Sequence, residues 1–325
     1  MRNGMRALLM CAAVAMTCST AGVVAAPPVA RSFAAGYFVL EIDGIQAGFV
    51  SAVEGGLPFG DVIKLPSEDF FFKKQLANPG VRDIRLETGA GMDKSFYSWI
   101  ALALQGQPAR RNGAILTADF NGNVISRLEF QHALITEVGF PALDAGSKEP
   151  AHLSIVLTPD HTSLNRKASG KVGVKSPASQ KKWLSSNFRL LVDGLNTTKV
   201  SKIDALTIKL PRTGFRDDGV CRLCEDFPPG EAAKIDFPHV IITLAESSAQ
   251  SVYDWFEDFV VAGNNDDAKE KNGTLEFLTP DLQTTLFTLK LKHLGIFELM
   301  PVMDSGGIAR LAAALYCESM ELMAQ

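Results

Sequence analysis

One stretch occurs twice in this chain of 325 residues, as Ser95-Phe-Tyr-Ser-Trp99-Ile100 and as Ser251-Val-Tyr-Asp-Trp255-Phe256. Each copy sits inside the same series of landmarks. Upstream are Asp43-Gly44 and Asp193-Gly194, then Ile63-Lys-Leu-Pro66 and Ile208-Lys-Leu-Pro211, then Ile84-Arg-Leu86 and Ile242-Thr-Leu244. Downstream are Asn112-Gly113 and Asn272-Gly273, His132 and His293, Pro141 and Pro301; across the series the offsets lie between 145 and 161. That period is domain-sized, well beyond the roughly 20–50 residues of a solenoid repeat. It predicts a tandem duplication, with domains at 37–164 and 187–323.

The local pattern predicts mainly β structure with one helix per copy. Tyr37–Ile42 and Phe188–Val192 are strand-like runs ahead of Asp-Gly turns. Gly55-Gly56-Leu57-Pro58 breaks the pattern and opens a loop towards Gly80, carrying Phe70-Phe71-Phe72. Those three aromatics either pack on their own domain or form a subunit contact. Met92, Phe96, Trp99 and Ala103 recur at helical spacing behind Asp93 as N-cap, and Gly106 with Pro108 ends the helix. In the second copy Ser247 or Ser248 caps, Val252, Trp255, Phe256 and Phe259 form the stripe, and Gly263 stops it. Both tryptophans therefore plug a helix onto a sheet.

A hairpin follows each helix. Asn121-Gly122 has type I′ chemistry between Ala114–Phe120 and Val124–Phe130, and Pro280-Asp281 turns between Thr274–Leu278 and Thr284–Leu291. His152–Thr158 closes the first copy as a strand; Arg310–Cys317, rich in alanine, fits helix or strand. Residues 165–186 join the halves. They hold Arg166, Lys167, Lys171, Lys175, Lys181 and Lys182 without an acid, and so form a basic, flexible linker.

The first 26 residues predict a secretory signal peptide: Arg2 and Arg6, an apolar Ala7–Met16, and small residues at Val23-Val-Ala25. The rival is a lipid anchor at Cys18, for which Ala15-Met16-Thr17 is a poor lipobox. The apolar run is shorter than the roughly 20 residues of a spanning helix, so no stable membrane insertion is expected. A net charge of −4 excludes general nucleic-acid binding. Of the cysteines beyond residue 26, Cys221 and Cys224 form one C-x-x-C in an insertion at 212–236, and a disulfide between them is expected; Cys317 is left over.

Catalytic signatures are missing from the sequence. No H-E-x-x-H, G-x-S-x-G or Walker A stretch occurs. Asp119-x-Asn121-x-Asn123 imitates a calcium loop but has Val124 and Phe130 where that loop needs Gly and Glu. His132 and His293 recur as strand-end positions rather than metal ligands. No catalytic residue, cofactor or metal is expected.

Phe38-Val-Leu-Glu-Ile-Asp-Gly-Ile45, Gly48-Phe49 and Val53-Glu-Gly-Gly-Leu57, followed by Lys64-Leu65-Pro66, Ile84-Arg-Leu86-Glu-Thr-Gly89, Trp99 and the Ile115–Phe130 hairpin, resemble contractile-phage tail tube proteins. The order and spacing carry the resemblance, over 37–164 closely and over 187–323 more loosely. It implies antiparallel β-sandwich or barrel domains, each with one packed helix, and subunits that form six-membered rings stacked into a tube. Related inner tubes serve type VI secretion and extracellular injection systems. A duplicated chain would build such a ring from three copies, with other injection-system components as further partners. Export of such a protein, to the periplasm or outside the cell, departs from the family. The alternative is a monomeric secreted binding module or adhesin on the same fold; an enzyme has only absent motifs behind it.

Overall fold

Period-two burial is clearest in Ile84, Leu86 and Thr88, which point inward while Arg85 and Glu87 face out. Such strands must cover one face, and the first half of the chain does so by curling its sheet closed. The computed structural model describes residues 36–67, 70–172, 183–211, 234–304 and 306–324. The first half comprises β1 (Tyr37–Ile42), β2 (Ile45–Gly55), β3 (Pro58–Leu65), β4 (Lys73–Val81), β5 (Ile84–Thr88), helix α1 (Lys94–Leu104), β6 (Arg111–Ala118), β7 (Val124–Phe140), β8 (Leu143–Asp144), β9 (Leu153–Thr158) and β10 (His161–Asn165). Strands β7-β6-β1-β2-β5-β9 pair in that order, and β9 pairs back onto β7, closing a six-stranded barrel.

The second half comprises β11 (Phe188–Val192), β12 (Val200–Ile203), β13 (Leu206–Lys209), β14 (Val240–Ala245), helix α2 (Gln250–Phe256), β15 (Lys271–Leu278), β16 (Thr285–Met303) and β17 (Ala309–Ala324). Its sheet runs β11-β15-β16-β17-β14-β12, the order of the first barrel cut at one seam. The seam has a local cause. β1 and β2 are joined by Asp43-Gly44 alone, with φ of 50° and 81°, so they pair from the turn outward. Between β11 and β12 a longer turn intervenes, and the Thr197 hydroxyl donates to the Leu190 carbonyl at 2.6 Å where a strand would have paired. The result is a closed barrel and a curled half-barrel, mainly β with minor α.

The halves interlock. From the first half β8 pairs with β12, and from the second β13 pairs with β7. Phe140 stacks on Phe277 at 5.9 Å, and Trp183 meets Phe277 and Phe287 edge-on at 5.3 Å. Tyr97 of α1 lies 5.7 Å from Phe287. One core therefore runs through both halves, and the described residues from Gly36 onward form one compact unit.

Helix α1 starts where its cap chemistry requires. The Asp93 carboxylate accepts from the Ser95 N–H at 2.8 Å, and Gly106 takes the left-handed conformation at the far end. Trp99 and Trp255 are both buried against the sheets. α2 departs from expectation: Ser247 and Ser248 sit in a 3₁₀ turn, Ala249 caps without a side-chain bond, and a π turn carries the chain from Glu257 to Val261. The wider turn keeps Val252, Trp255 and Phe259 all inside.

Other expectations are corrected. The segment from Pro58 to Gly80 is no loop but the hairpin β3–β4. The Asn121-Gly122 turn is not type I′, because only Gly122 has positive φ; the Asp119 carboxylate organises it by accepting from the N–H groups of Asn121 and Asn123 at 2.8 Å. Of the two alternatives open for the alanine-rich Arg310–Cys317, strand is the one found, in β17. Residues 173–182 of the expected linker lie outside the described residues; at its described ends Val172 donates its N–H to the Gly122 carbonyl, and Ser185 its own to the Glu149 carbonyl.

Candidate assembly surface

β3 and β4 pair only with each other among the described residues. An isolated two-stranded ribbon is marginal in water, so its stability has to come from neighbours. Its turn carries Phe70, Phe71 and Phe72, exposed at 101%, 81% and 67%, and its body carries the exposed Val62, Ile63 and Leu76. The internal cover is slight: Phe70 meets Phe71 at 6.4 Å, Lys64 Nζ lies 5.3 Å from the Phe72 ring, and Arg82 lies 4.7 Å from the Phe59 ring. Lys64 stands directly across from Lys74, a like-charge pair that weakens the ribbon on its own.

His132 and His293 occupy the same device in the two halves. Each has left-handed φ, 50° and 54°, and each backbone N–H donates to an asparagine Oδ1: Asn112 at 2.8 Å and Asn272 at 3.4 Å. Both sit where the ladder shifts register. The glycines that follow those asparagines let the backbones close in; a Cβ on Gly113 would run into the Glu41 carbonyl and the Phe130 ring. Around His132, Arg110 bonds Asp160 at 2.8 Å. Around His293 the corresponding residue is Glu270, bonded to the imidazole at 2.8 Å and to the Tyr316 hydroxyl at 2.7 Å. Burial, then the Glu270 carboxylate, holds the Tyr316 hydroxyl protonated well above its usual range. Glu270, His293 and Glu318 bring ligand-type atoms within 4.8 Å of one another.

The remaining polar groups are largely spent on one another. A concavity of about 660 Å³ beside Asp43, Asn112 and Gln131 is crossed by Arg127, which bonds Glu41 at 2.6 Å and Glu129 at 2.9 Å. Arg111 meets Asp43 at 2.7 Å. The Ser51 hydroxyl donates to the Glu87 carbonyl at 2.8 Å, so its proton is committed although His152 Nδ1 is 3.3 Å away. Asp119, read as the start of a failed calcium loop, is occupied by its own turn. Cys317 is buried, and burial pushes its thiol up to about 11. Cys221, Cys224 and the signal-like residues 1–26 lie outside the described residues.

No protein-family model and no curated protein matches the sequence. Among solved structures, the chain is similar to a sheath/tube terminator of the extracellular contractile injection system PVC, at 20% identity, with 44% of this chain and 99% of that one covered and a TM-score of 0.34. It is similar to the tube-terminating cap of the anti-feeding prophage at 19% identity, with 46% and 99% covered and a TM-score of 0.36. For Hcp1 from Flavobacterium johnsoniae the identity is 13%, with 42% and 99% covered and a TM-score of 0.29. The likeness is one of fold. Among the described residues no helix is long and apolar enough to cross a membrane.

Proposed function

We propose that this chain is an exported, non-enzymatic structural subunit that assembles with copies of itself. In this reading residues 37–164 and 187–323 are duplicated tail-tube-like domains, three chains close a ring of six domains, and rings stack into a tube or filament. Other injection-system components are further partners. The observation that carries the reading is the β3–β4 ribbon, a hairpin that pairs with no other strand among the described residues and ends in three exposed phenylalanines. Such a surface marks an interaction site, and head-to-tail contacts that close give rings. The recurrence of strand order, helix position and the His–Asn device in both halves supports the duplication.

The test is light scattering with negative-stain imaging of the chain purified from periplasm or medium. Trimers, rings or tubes are the expected result. A monomer at every concentration would overturn the reading and favour a binding module, whose starting point would be the concavity beside Asp43 and Asn112.

A further inference from the structure

The junction inside the chain is a template for a contact between chains. In the first half, β7 runs past the start of β6, and the edge this leaves free is taken by β13: Leu206 pairs with Phe140, Thr207 with Gly139, Ile208 with Val138 and Lys209 with Glu137. Leu210 extends the ladder by donating its N–H to the Thr136 carbonyl at 2.9 Å. In the second half, β16 likewise runs past the start of β15. The register breaks between Ile135 and Glu137 in β7 and between Ile296 and Glu298 in β16, and this with the two histidines places Glu298 where Glu137 stands. Among the described residues, β16 beyond Leu294 pairs only with β17. Among the described residues no strand takes its other edge, Phe297 to Met303, where Phe297, in ring contact with His239 at 4.7 Å, and Val302 and Met303 are exposed.

The strand that would fit this edge is also present. β13 ends in Ile208-Lys-Leu-Pro211, and β3 ends in Ile63-Lys-Leu-Pro66. Among the described residues β3 has one edge on β4 and no strand on the other. We infer that β3 of one copy docks on β16 of a second copy as β13 docks on β7, with Lys64 opposite Glu298, Ile63 opposite Leu299 and Val62 opposite Met300. This rests on the reading of the chain as a self-assembling subunit and supplies its interface.

Three features agree with the register. Lys64 repeats Lys209 and Glu298 repeats Glu137, so the cross-strand pair keeps its charges. The Leu210-to-Thr136 bond sets the ladder phase and makes Lys64–Glu298 a non-hydrogen-bonded pair, the kind whose side chains lie closest. Neither Lys64 nor Glu298 has an ion-pair partner among the described residues, and Lys64 faces Lys74 across its own ribbon. Pro301 at the end of the edge has no N–H to give, so the pairing is confined to Phe297–Met300. A second contact follows the same template. The turn at Asp144 lies against Lys202 at 3.2 Å through β8 and β12, and the turn at Asp304 repeats its geometry: Gly146 donates its N–H to the Asp144 carboxylate and Gly306 its own to the Asp304 carboxylate. In the second copy the Asp304 turn would meet the Ala52–Glu54 edge of the first copy's β2, where Ala52 and Glu54 are exposed.

The two surfaces differ, so the contact is head-to-tail. Single variants Val62→Cys and Met300→Cys of the full chain should each give, on oxidation, no more cross-linked dimer than the wild type. Mixed together they should give a dimer, and the double variant a ladder on a non-reducing gel. Lys64→Glu should lower assembly by about tenfold or more at a fixed concentration, and Lys64→Glu with Glu298→Lys should restore it. Assembly by light scattering without the mixed cross-link or the charge rescue would overturn this interface and leave self-assembly standing. Cross-linking of Val62→Cys with itself would replace it with a symmetric contact. A monomeric wild type would overturn both.

Discussion

His293 and Asn272 hold one another across β15 and β16: the histidine backbone turns left-handed at φ 54° and gives its N–H to the asparagine Oδ1 at 3.4 Å. His132 and Asn112 repeat the arrangement at 2.8 Å. A non-glycine residue pays a steric cost in this conformation, and the carboxamide bond offsets it. Asn112→Ala should therefore destabilise the protein by about 1 kcal/mol, a typical value for one hydrogen bond. Asn272→Ala, with the longer bond, should cost less. Urea midpoints at constant slope measure both, and an unchanged midpoint for Asn112→Ala would refute the role.

The two tryptophans should respond unequally to the same change. Trp99 Nε1 donates to the Ala109 carbonyl at 2.7 Å, whereas Trp255 Nε1 is buried without a partner among the described residues. Trp99→Phe loses volume and strands a carbonyl; Trp255→Phe loses volume but removes a lone buried donor. The first should exceed the second by about 1–2 kcal/mol. Thermal or urea unfolding of the two variants decides it, and equal losses would contradict the assignment.

Asp93 should make α1 sensitive to acid. Its carboxyl lies below the ordinary range, first because the Ser95 N–H bonds the charged form. A lowered folded-state value means stability that is complete above the unfolded value near 3.8 and lost as pH falls through the folded one. Asp93→Ala should cost about 1 kcal/mol at neutral pH. The gap to wild type should narrow below pH 3.8 in urea titrations run at stepped pH; a gap independent of pH would mean the charge plays no part.

Cys317 should resist alkylation while the protein is folded. It is buried, and its thiol is raised to about 11, so little thiolate is present at neutral pH. Peptide mass mapping after iodoacetamide should find Cys317 unmodified in buffer and modified beyond the urea midpoint. Rapid native labelling would contradict the buried placement.

Replacing Phe70, Phe71 and Phe72 together by serine should weaken assembly and leave the fold intact. The rings are exposed, so their loss from the monomer removes little buried area. Circular dichroism and the urea midpoint should be unchanged while scattering shifts to smaller species. An unchanged size distribution would remove the ribbon tip from the interface.

Local chemistry made much of this protein legible from its residues. Asp93 and Gly106 bound α1 because capping acts within a turn or two, and Phe287, Leu289 and Leu291 marked a half-buried strand by period two. Strand order and helix position recur around Trp99 and Trp255, where the sequence repeats its landmarks. What needed the tertiary structure depends on partners distant in sequence. The ribbon β3–β4 read as a loop because its apolar residues face outward and leave no buried stripe. Arg310–Cys317 satisfied helix or strand until pairing with β16 and β14 chose strand. The pairings also place Ile242 with Leu86 rather than with Ile84, since they lie across Ala313 and Ile155, which correspond through the histidine-anchored strands. Whether a sheet closes on itself, as the first half does and the second does not, is settled by how one turn lets two strands meet, and no periodicity within either strand records it.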